Sequence, residues 1–138
     1  MKIHVNFLFM LVLLVILAPL ATSCSDKEFE DFSQSFYSTY REIGGLIDTK
    51  DVLATLKSLK SEQVGDLVNK LKVDLESIDK NIPPGKQEQY EELLKWYQGV
   101  IYLTESYDKW NNYGIDERRK VCNEMDLIII RIRNLESN

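Results

Sequence analysis

Residues 25–45 read SDKEFEDFSQSFYSTYREIGG and predict one amphipathic helix whose two ends are both marked. Ser25 and Glu28 have the spacing of a capping box, in which each side chain accepts a backbone N–H at the start of a helix. The apolar residues that follow at steps of three and four form one stripe: Phe29, Phe32, Phe36, Tyr40 and Ile43. Gly44-Gly45 predicts a stop or a kink, with a left-handed glycine where the helix ends.

The next two helices are shorter and less sharply bounded. Asp48 or Thr49 is the predicted N-cap of the second helix, and Ser61 is the predicted N-cap of the third. No residue between these two helices excludes helical structure, so the alternative that they form one continuous helix stays open. Pro83-Pro84-Gly85 ends this region, because proline removes a backbone donor and clashes within a helix.

A long helix is predicted over about residues 87–113, followed by a last helix with Asp116 as its N-cap. The main apolar face of the long helix consists of Tyr90, Leu93, Leu94, Tyr97, Val100, Ile101 and Thr104. The last helix has an inward stripe of Val121, Met125, Ile128, Ile132 and Leu135. Because apolar residues recur at helical spacing throughout, the predicted fold is all-α, an irregular antiparallel bundle of four to five helices.

The first 23 residues have the features of a secretory signal. They combine Lys2, an apolar run over residues 7–18 and the small-residue exit Ala21-Thr22-Ser23. The apolar run is short for a membrane span. The sequence therefore predicts a signal peptide at 1–23 and a single helical domain at 24–138 in a secreted, extracellular protein.

The charge of the predicted mature chain is acidic. Without Lys2 it has 16 basic and 22 acidic residues, a net charge of −6. This balance excludes nucleic acid and anionic membranes as expected partners, because both attract clustered positive charge. Two interpretations of the acidic charge stay open. It favours a partner with basic patches, or it serves solubility alone.

Two cysteines, Cys24 and Cys122, belong to the mature chain. An even count in an exported protein predicts one disulfide between them. The alternative is a bacterial lipoprotein, since Leu20-Ala21-Thr22-Ser23-Cys24 loosely resembles a lipidation signal. Lipidation would use the Cys24 thiol, would leave Cys122 unpaired, and is the one circumstance in which membrane contact is expected.

No arrangement of residues predicts catalysis. The single histidine, His4, lies in the signal segment, so histidine-based triads, zinc sites and proton shuttles are excluded from the mature chain. Phosphate-binding and calcium-binding loops are also missing from the sequence. We therefore expect no catalytic residue, no metal and no cofactor, and the protein is predicted not to be an enzyme.

Aromatic residues are concentrated in the long helix. Seven of the twelve that follow Ser23 lie between Tyr90 and Tyr113. Trp96, Leu103, Tyr107 and Trp110 form a second row beside the main face. Tryptophan and tyrosine recur at interface hot spots, which makes Trp96, Tyr107 and Trp110 candidate partner-binding residues. The alternative interpretation is that the row packs in the core of the bundle.

The overall plan resembles the small all-helical salivary proteins of anopheline mosquitoes, of the albicin and anophensin type. The residues that carry the resemblance are Cys24, Cys122 and the aromatic stretch KWYQGVIYL at 95–103. The resemblance implies a secreted, non-enzymatic protein that binds a host plasma protein and inhibits the alternative complement pathway or kallikrein and contact activation. The other hypothesis is a bacterial lipoprotein anchored at Cys24 with a structural or ligand-binding role.

Overall fold

The computed structural model describes residues 25–137, and within them five α-helices form the fold. They are α1 (Asp26–Gly44), α2 (Val52–Leu59), α3 (Glu62–Ile78), α4 (Gln87–Lys109) and α5 (Ile115–Glu136). Short 3-10 turns at Asp79–Asn81 and Trp110–Asn112 follow α3 and α4. No strand occurs in residues 25–137, so the all-α prediction is confirmed. The predicted signal peptide and Cys24 lie outside the described residues.

Helix α1 begins with the predicted capping box. The Glu28 N–H donates to Ser25 Oγ (3.2 Å), and the Ser25 N–H donates to Glu28 Oε2 (2.7 Å). All five stripe residues are buried: Phe29, Phe32, Phe36, Tyr40 and Ile43. The helix ends at Gly44, but Gly45 has a right-handed φ of −63°. The prediction of a left-handed glycine here was wrong, because the chain continues through Gly45 in right-handed turns, in which the Leu46 N–H donates to the Ile43 carbonyl (3.1 Å) and the Ile47 N–H to the Gly44 carbonyl (3.0 Å).

Helices α2 and α3 are separate, with the break at Lys60 and Ser61. Ser61 is the N-cap of α3, as predicted, and its Oγ accepts the Val64 N–H (3.3 Å). The break follows from that cap, since Ser61 has extended backbone angles that a continuous helix excludes.

The predicted caps of α2 and α5 were wrong. The N-cap of α2 is Asp51, whose carboxylate accepts the Ala54 N–H (3.0 Å). Asp48 instead braces the preceding loop through its backbone, which bonds to the Thr55 hydroxyl. Helix α5 begins one residue after Gly114, which places Asp116 inside the first turn. Several polar residues precede each helix, and the path of the loop decides which of them becomes the cap.

Successive long helices run antiparallel. Tyr90, near the start of α4, donates a hydrogen bond to Asp79, just after α3 (3.0 Å). At the other end of α4, Asp108 pairs with Lys60, just before α3. In the same way, α5 runs back along α4 from the turn at 110–114, so that α3 and α5 both run opposite to α4.

The four long helices surround one core. Helix α1 packs against α3 and α5, while α4 packs against α2, α3 and α5. Helices α1 and α4 are therefore diagonal neighbours, and their large aromatic side chains meet across the centre. Tyr40 of α1 lies 5.1 Å from Trp96 of α4, measured between ring centroids. The short helix α2 contributes the buried residues Leu56 and Leu59 where it covers α4.

The two ends of the bundle are formed by different parts of the chain. At one end, the N-terminal turn of α1 lies near the start of α4, where Lys86 Nζ is 5.7 Å from the centre of the Phe29 ring. At the other end, α4 turns into α5 through residues 110–114. We call the latter the turn end. It lies at the opposite pole of the bundle from Ser25.

Candidate partner-binding surface

The three candidate partner-binding residues do not share one surface. Trp96 is buried, with 7% of its surface exposed, whereas Tyr107 and Trp110 are half-buried. Trp96 therefore packs in the core, as the alternative interpretation of the row anticipated. The main face predicted for α4 is also displaced, since Leu94, Tyr97, Ile101 and Thr104 are only partly buried. The displacement arises because α4 is surrounded by several helices, and Trp96 faces the diagonal neighbour α1.

Trp96 lies over a polar cluster inside the bundle. The Arg131 guanidinium is 5.5 Å from the centre of the Trp96 ring, donates to Glu124 Oε1 (3.1 Å) and donates to the Tyr40 hydroxyl (3.3 Å). The Arg131 and Glu124 side chains are each 20% exposed. Gly99 makes room for this pair, because a Cβ there would collide with the Glu124 carboxylate. The cluster joins α1, α4 and α5. The largely buried charges of Arg131 and Glu124 therefore have a structural role, which is to hold these three helices together.

The cluster predicts a loss of stability in alkali. Burial raises the pKa of Tyr40 to about 12, against a smaller lowering by Arg131. Above about pH 10 the unfolded chain releases this proton while the folded chain keeps it, so stability falls as the pH rises. We expect Tyr40 to remove about 1 kcal/mol of unfolding free energy by pH 11 and about 2 kcal/mol by pH 12.

Urea unfolding of wild type and Tyr40→Phe at about pH 9 and about pH 11 measures this effect. The decline between the two pH values should be smaller in Tyr40→Phe. Tyr107→Phe is the matched control and should decline like wild type, because Tyr40 is still present. Equal declines in wild type and Tyr40→Phe would contradict the assignment.

At the turn end, Trp110 is part of a half-buried aromatic arrangement. Its ring lies 6.4 Å from Tyr113, edge to face, and the Arg118 guanidinium lies 5.0 Å from its centre. Arg118 also donates to the Trp110 carbonyl (3.3 Å). Ile115, between them in sequence, is 75% exposed, the most exposed of the large apolar residues in the described part. We call Trp110, Tyr113, Ile115 and Arg118 the turn patch.

Sequence reasoning found Trp110 but not the other residues of the turn patch. The sequence NNYG at 111–114 is typical of a turn. Such a turn brings the first turn of α5 back against the end of α4. Tyr107, in the last turn of α4, lies one turn before Trp110 and packs against the core.

The position of Ser25, the neighbour of Cys24 in the sequence, indicates how far the start of α1 lies from Cys122. Cys122 is half-buried in α5 and unpaired within residues 25–137, while Cys24 lies outside them. Tyr40 and Arg131 are in contact on antiparallel helices. At 1.5 Å per residue, Ser25 lies about 22 Å from that contact toward one pole, and Cys122 lies about 13 Å toward the other. A disulfide needs Cα atoms within about 7 Å. The Cys24–Cys122 bond stays a prediction, and the fold weighs against it.

A groove runs between the start of α3 and the end of α4. This groove has a volume of about 550 Å³ and a floor that includes Leu59, Gly65 and Val68. Its charged groups pair with one another, Lys60 with Asp108 and Lys109 with Glu105. It therefore presents no unpaired charge that would select a ligand, unlike the turn patch.

Within residues 25–137, no group of three or more acidic, cysteine or histidine side chains has the arrangement needed to hold a metal ion. In the same part of the chain, no helix is long and apolar enough to cross a membrane. Comparisons with protein-family models, curated proteins and solved structures found no match to this chain. The turn patch is accordingly assigned as the candidate partner-binding surface from its own geometry.

Proposed function

We propose that this protein is a secreted, non-enzymatic binding protein that inhibits a host plasma cascade, through the alternative complement pathway or through kallikrein and contact activation. The observation that carries the binding role is the turn patch. It combines a half-buried tryptophan with a stacked arginine, and a largely exposed isoleucine lies one helical turn before that arginine. Large aromatic and arginine side chains that are held in position contribute most to protein–protein affinity.

Two further features support this proposal. The resemblance of the overall plan to anopheline salivary proteins supplies the choice of cascade. The helical scaffold supplies rigidity, because Trp110 is held by its own carbonyl contact with Arg118 and by the edge-to-face contact with Tyr113. A surface that is ordered before binding loses less conformational entropy on association.

The first test removes the anchor of the patch. Trp110→Ala should weaken binding to the plasma partner by about 2 kcal/mol or more, which is about 30-fold in Kd. Because Trp110 is half-buried at the turn end, the melting temperature of the variant should differ little from that of wild type. The measurement is capture of complement or contact-system proteins from plasma, followed by complement lysis and kallikrein-generation assays with the purified mature chain.

Val73→Ala is the matched control, since Val73 is also an exposed apolar side chain but lies on α3, outside the turn patch. It should retain full inhibition. The proposal fails if the mature chain inhibits neither cascade at micromolar concentration, or if Trp110→Ala inhibits as well as wild type does.

The position of Ser25 favours a second candidate function, a lipoprotein anchored at Cys24. A Cys24 thiol that does not pair with Cys122 would be available for a lipid. An anchor there would hold the pole opposite the turn patch. Intact mass of the exported protein separates the candidates, since an added diacylglycerol indicates the lipoprotein, and loss of two hydrogens would indicate the disulfide.

A further inference from the structure

We propose that the turn patch binds a partner segment in which an acidic side chain stands next to an apolar one, with Arg118 receiving the carboxylate and Trp110 and Ile115 receiving the apolar side chain. This inference rests on the proposed binding function and deepens it by naming the chemistry of the partner. It also reverses the expectation from net charge, which favoured a basic patch on the partner.

The charge at the turn end is balanced, although the mature chain as a whole is acidic. Residues 105–120, which include the Glu105 and Asp108 carboxylates at the end of α4, contain four basic and four acidic side chains. Charges within about 8–10 Å dominate a contact at physiological ionic strength, because more distant charges are screened. The partner at this site is therefore selected by the individual side chains of the turn patch and not by the net charge of the mature chain.

Arg118 is held in place by contacts with Trp110. Among residues 25–137, no carboxylate forms a salt bridge with it. Lys109 pairs with Glu105 (3.3 Å), and Arg119 pairs with Asp116 (3.1 Å). The Glu117 carboxylate lies against Gly114 at the start of α5. Arg118 instead contacts the Trp110 ring and carbonyl. The guanidinium carries five N–H donors, and only one contact to a protein oxygen is made here.

The position of Arg118 in its helix does not account for its presence. It is the fourth residue of α5, where the positive end of the helix dipole disfavours cations. Its contact with Trp110 has a clearer consequence. A planar guanidinium that stacks on an aromatic ring can still present paired donors to a carboxylate, which lysine cannot do. An apolar side chain beside that carboxylate would then meet Trp110 and the exposed Ile115.

The test uses two synthetic hexapeptides that alternate leucine with glutamate in one and leucine with lysine in the other. Each is titrated at about 0.15 M ionic strength, where distant charges are screened, into the ¹⁵N-labelled mature chain, and the indole N–H signal of Trp110 is followed by NMR. The glutamate peptide should bind with a Kd at least about tenfold lower than that of the lysine peptide, and added salt should reduce this ratio. The Trp96 indole signal should not move, because that ring is buried.

Arg118 variants test its role directly. Arg118→Gln should abolish the preference for the glutamate peptide, and Arg118→Lys should retain only part of it. Arg119→Gln is the matched control and should retain the preference. The inference is overturned if the lysine peptide binds as well as the glutamate peptide, or if Arg118→Gln keeps the preference.

These outcomes are separate from those of the cascade assays. If the mature chain inhibits a cascade through Trp110 but shows no preference for the glutamate peptide, only the inference about partner chemistry fails. If the glutamate peptide binds as expected but neither cascade is inhibited, only the choice of plasma partner fails.

Discussion

Trp96→Ala is expected to lower the free energy of unfolding by about 3–5 kcal/mol, the range for removal of a large aromatic side chain from a core. Trp96 is buried against Tyr37 and Tyr40 of the diagonal helix, with ring centroids 5.8 and 5.1 Å away. Its removal leaves a cavity that both aromatic rings and Arg131 line. Urea unfolding followed by circular dichroism measures the change.

Trp110→Ala is the matched comparison, because it removes the same side chain from a half-buried site at the turn end. It should cost about 1 kcal/mol or less, since much of that surface is already in contact with water. If both substitutions destabilise the protein equally, the distinction between a core tryptophan and a surface tryptophan is wrong.

Arg131→Met is expected to destabilise the fold by about 2–3 kcal/mol, somewhat below the loss for breaking a fully buried ion pair because both side chains retain some exposure. The substitution leaves the Glu124 carboxylate against Gly99 with no cation beside it. It also removes the donor to the Tyr40 hydroxyl and the cation above the Trp96 ring.

The double variant Glu124→Met with Arg131→Met separates the cost of an unpaired charge from the cost of lost packing. It should be more stable than Arg131→Met alone by at least about 1 kcal/mol, because replacing both partners leaves no buried charge. Glu124→Gln alone should cost less than Arg131→Met, since its amide oxygen still accepts from Arg131. A double variant no more stable than Arg131→Met would show that the unpaired Glu124 carboxylate carries no cost, which would contradict this prediction.

The clearest success of prediction is α1. Ser25 and Glu28 form the expected capping box, and every residue of the predicted stripe is buried. Both features are local, because a capping box joins residues three apart and a single narrow stripe leaves only one face to bury. Ser61 at the start of α3 succeeded for the same reason.

For helix α4, the sequence pattern did not predict which residues face the core. Its apolar arc is wide enough to fit several neighbours, so periodicity indicates that the helix is central but not which part of the arc faces the core. Trp96 and Leu103 were placed beside the main face and are buried, while Tyr97 and Ile101 were placed on it and are only partly buried. Only the positions of α1 and α5 decide this.

The functional surface depends on the same kind of information. Arg118 is eight residues after Trp110 and contacts its ring only because the chain reverses between them. The contact of Arg131 with Tyr40 joins residues 91 apart in the chain, and no local pattern encodes it. The separation of Ser25 from Cys122 likewise follows from the antiparallel arrangement of α1 and α5.

The sequence by itself determined the all-α class, the limits of α1, the cap of α3 and the residues of the α1 stripe. Each of these depends on backbone hydrogen bonding or side-chain spacing within a few residues. The tertiary structure alone decided that Trp96 belongs to the core, that Trp110 and Arg118 share a surface, and that Glu124, Arg131 and Tyr40 form one cluster. These contacts join distant parts of the chain, and their geometry is set by how whole helices pack.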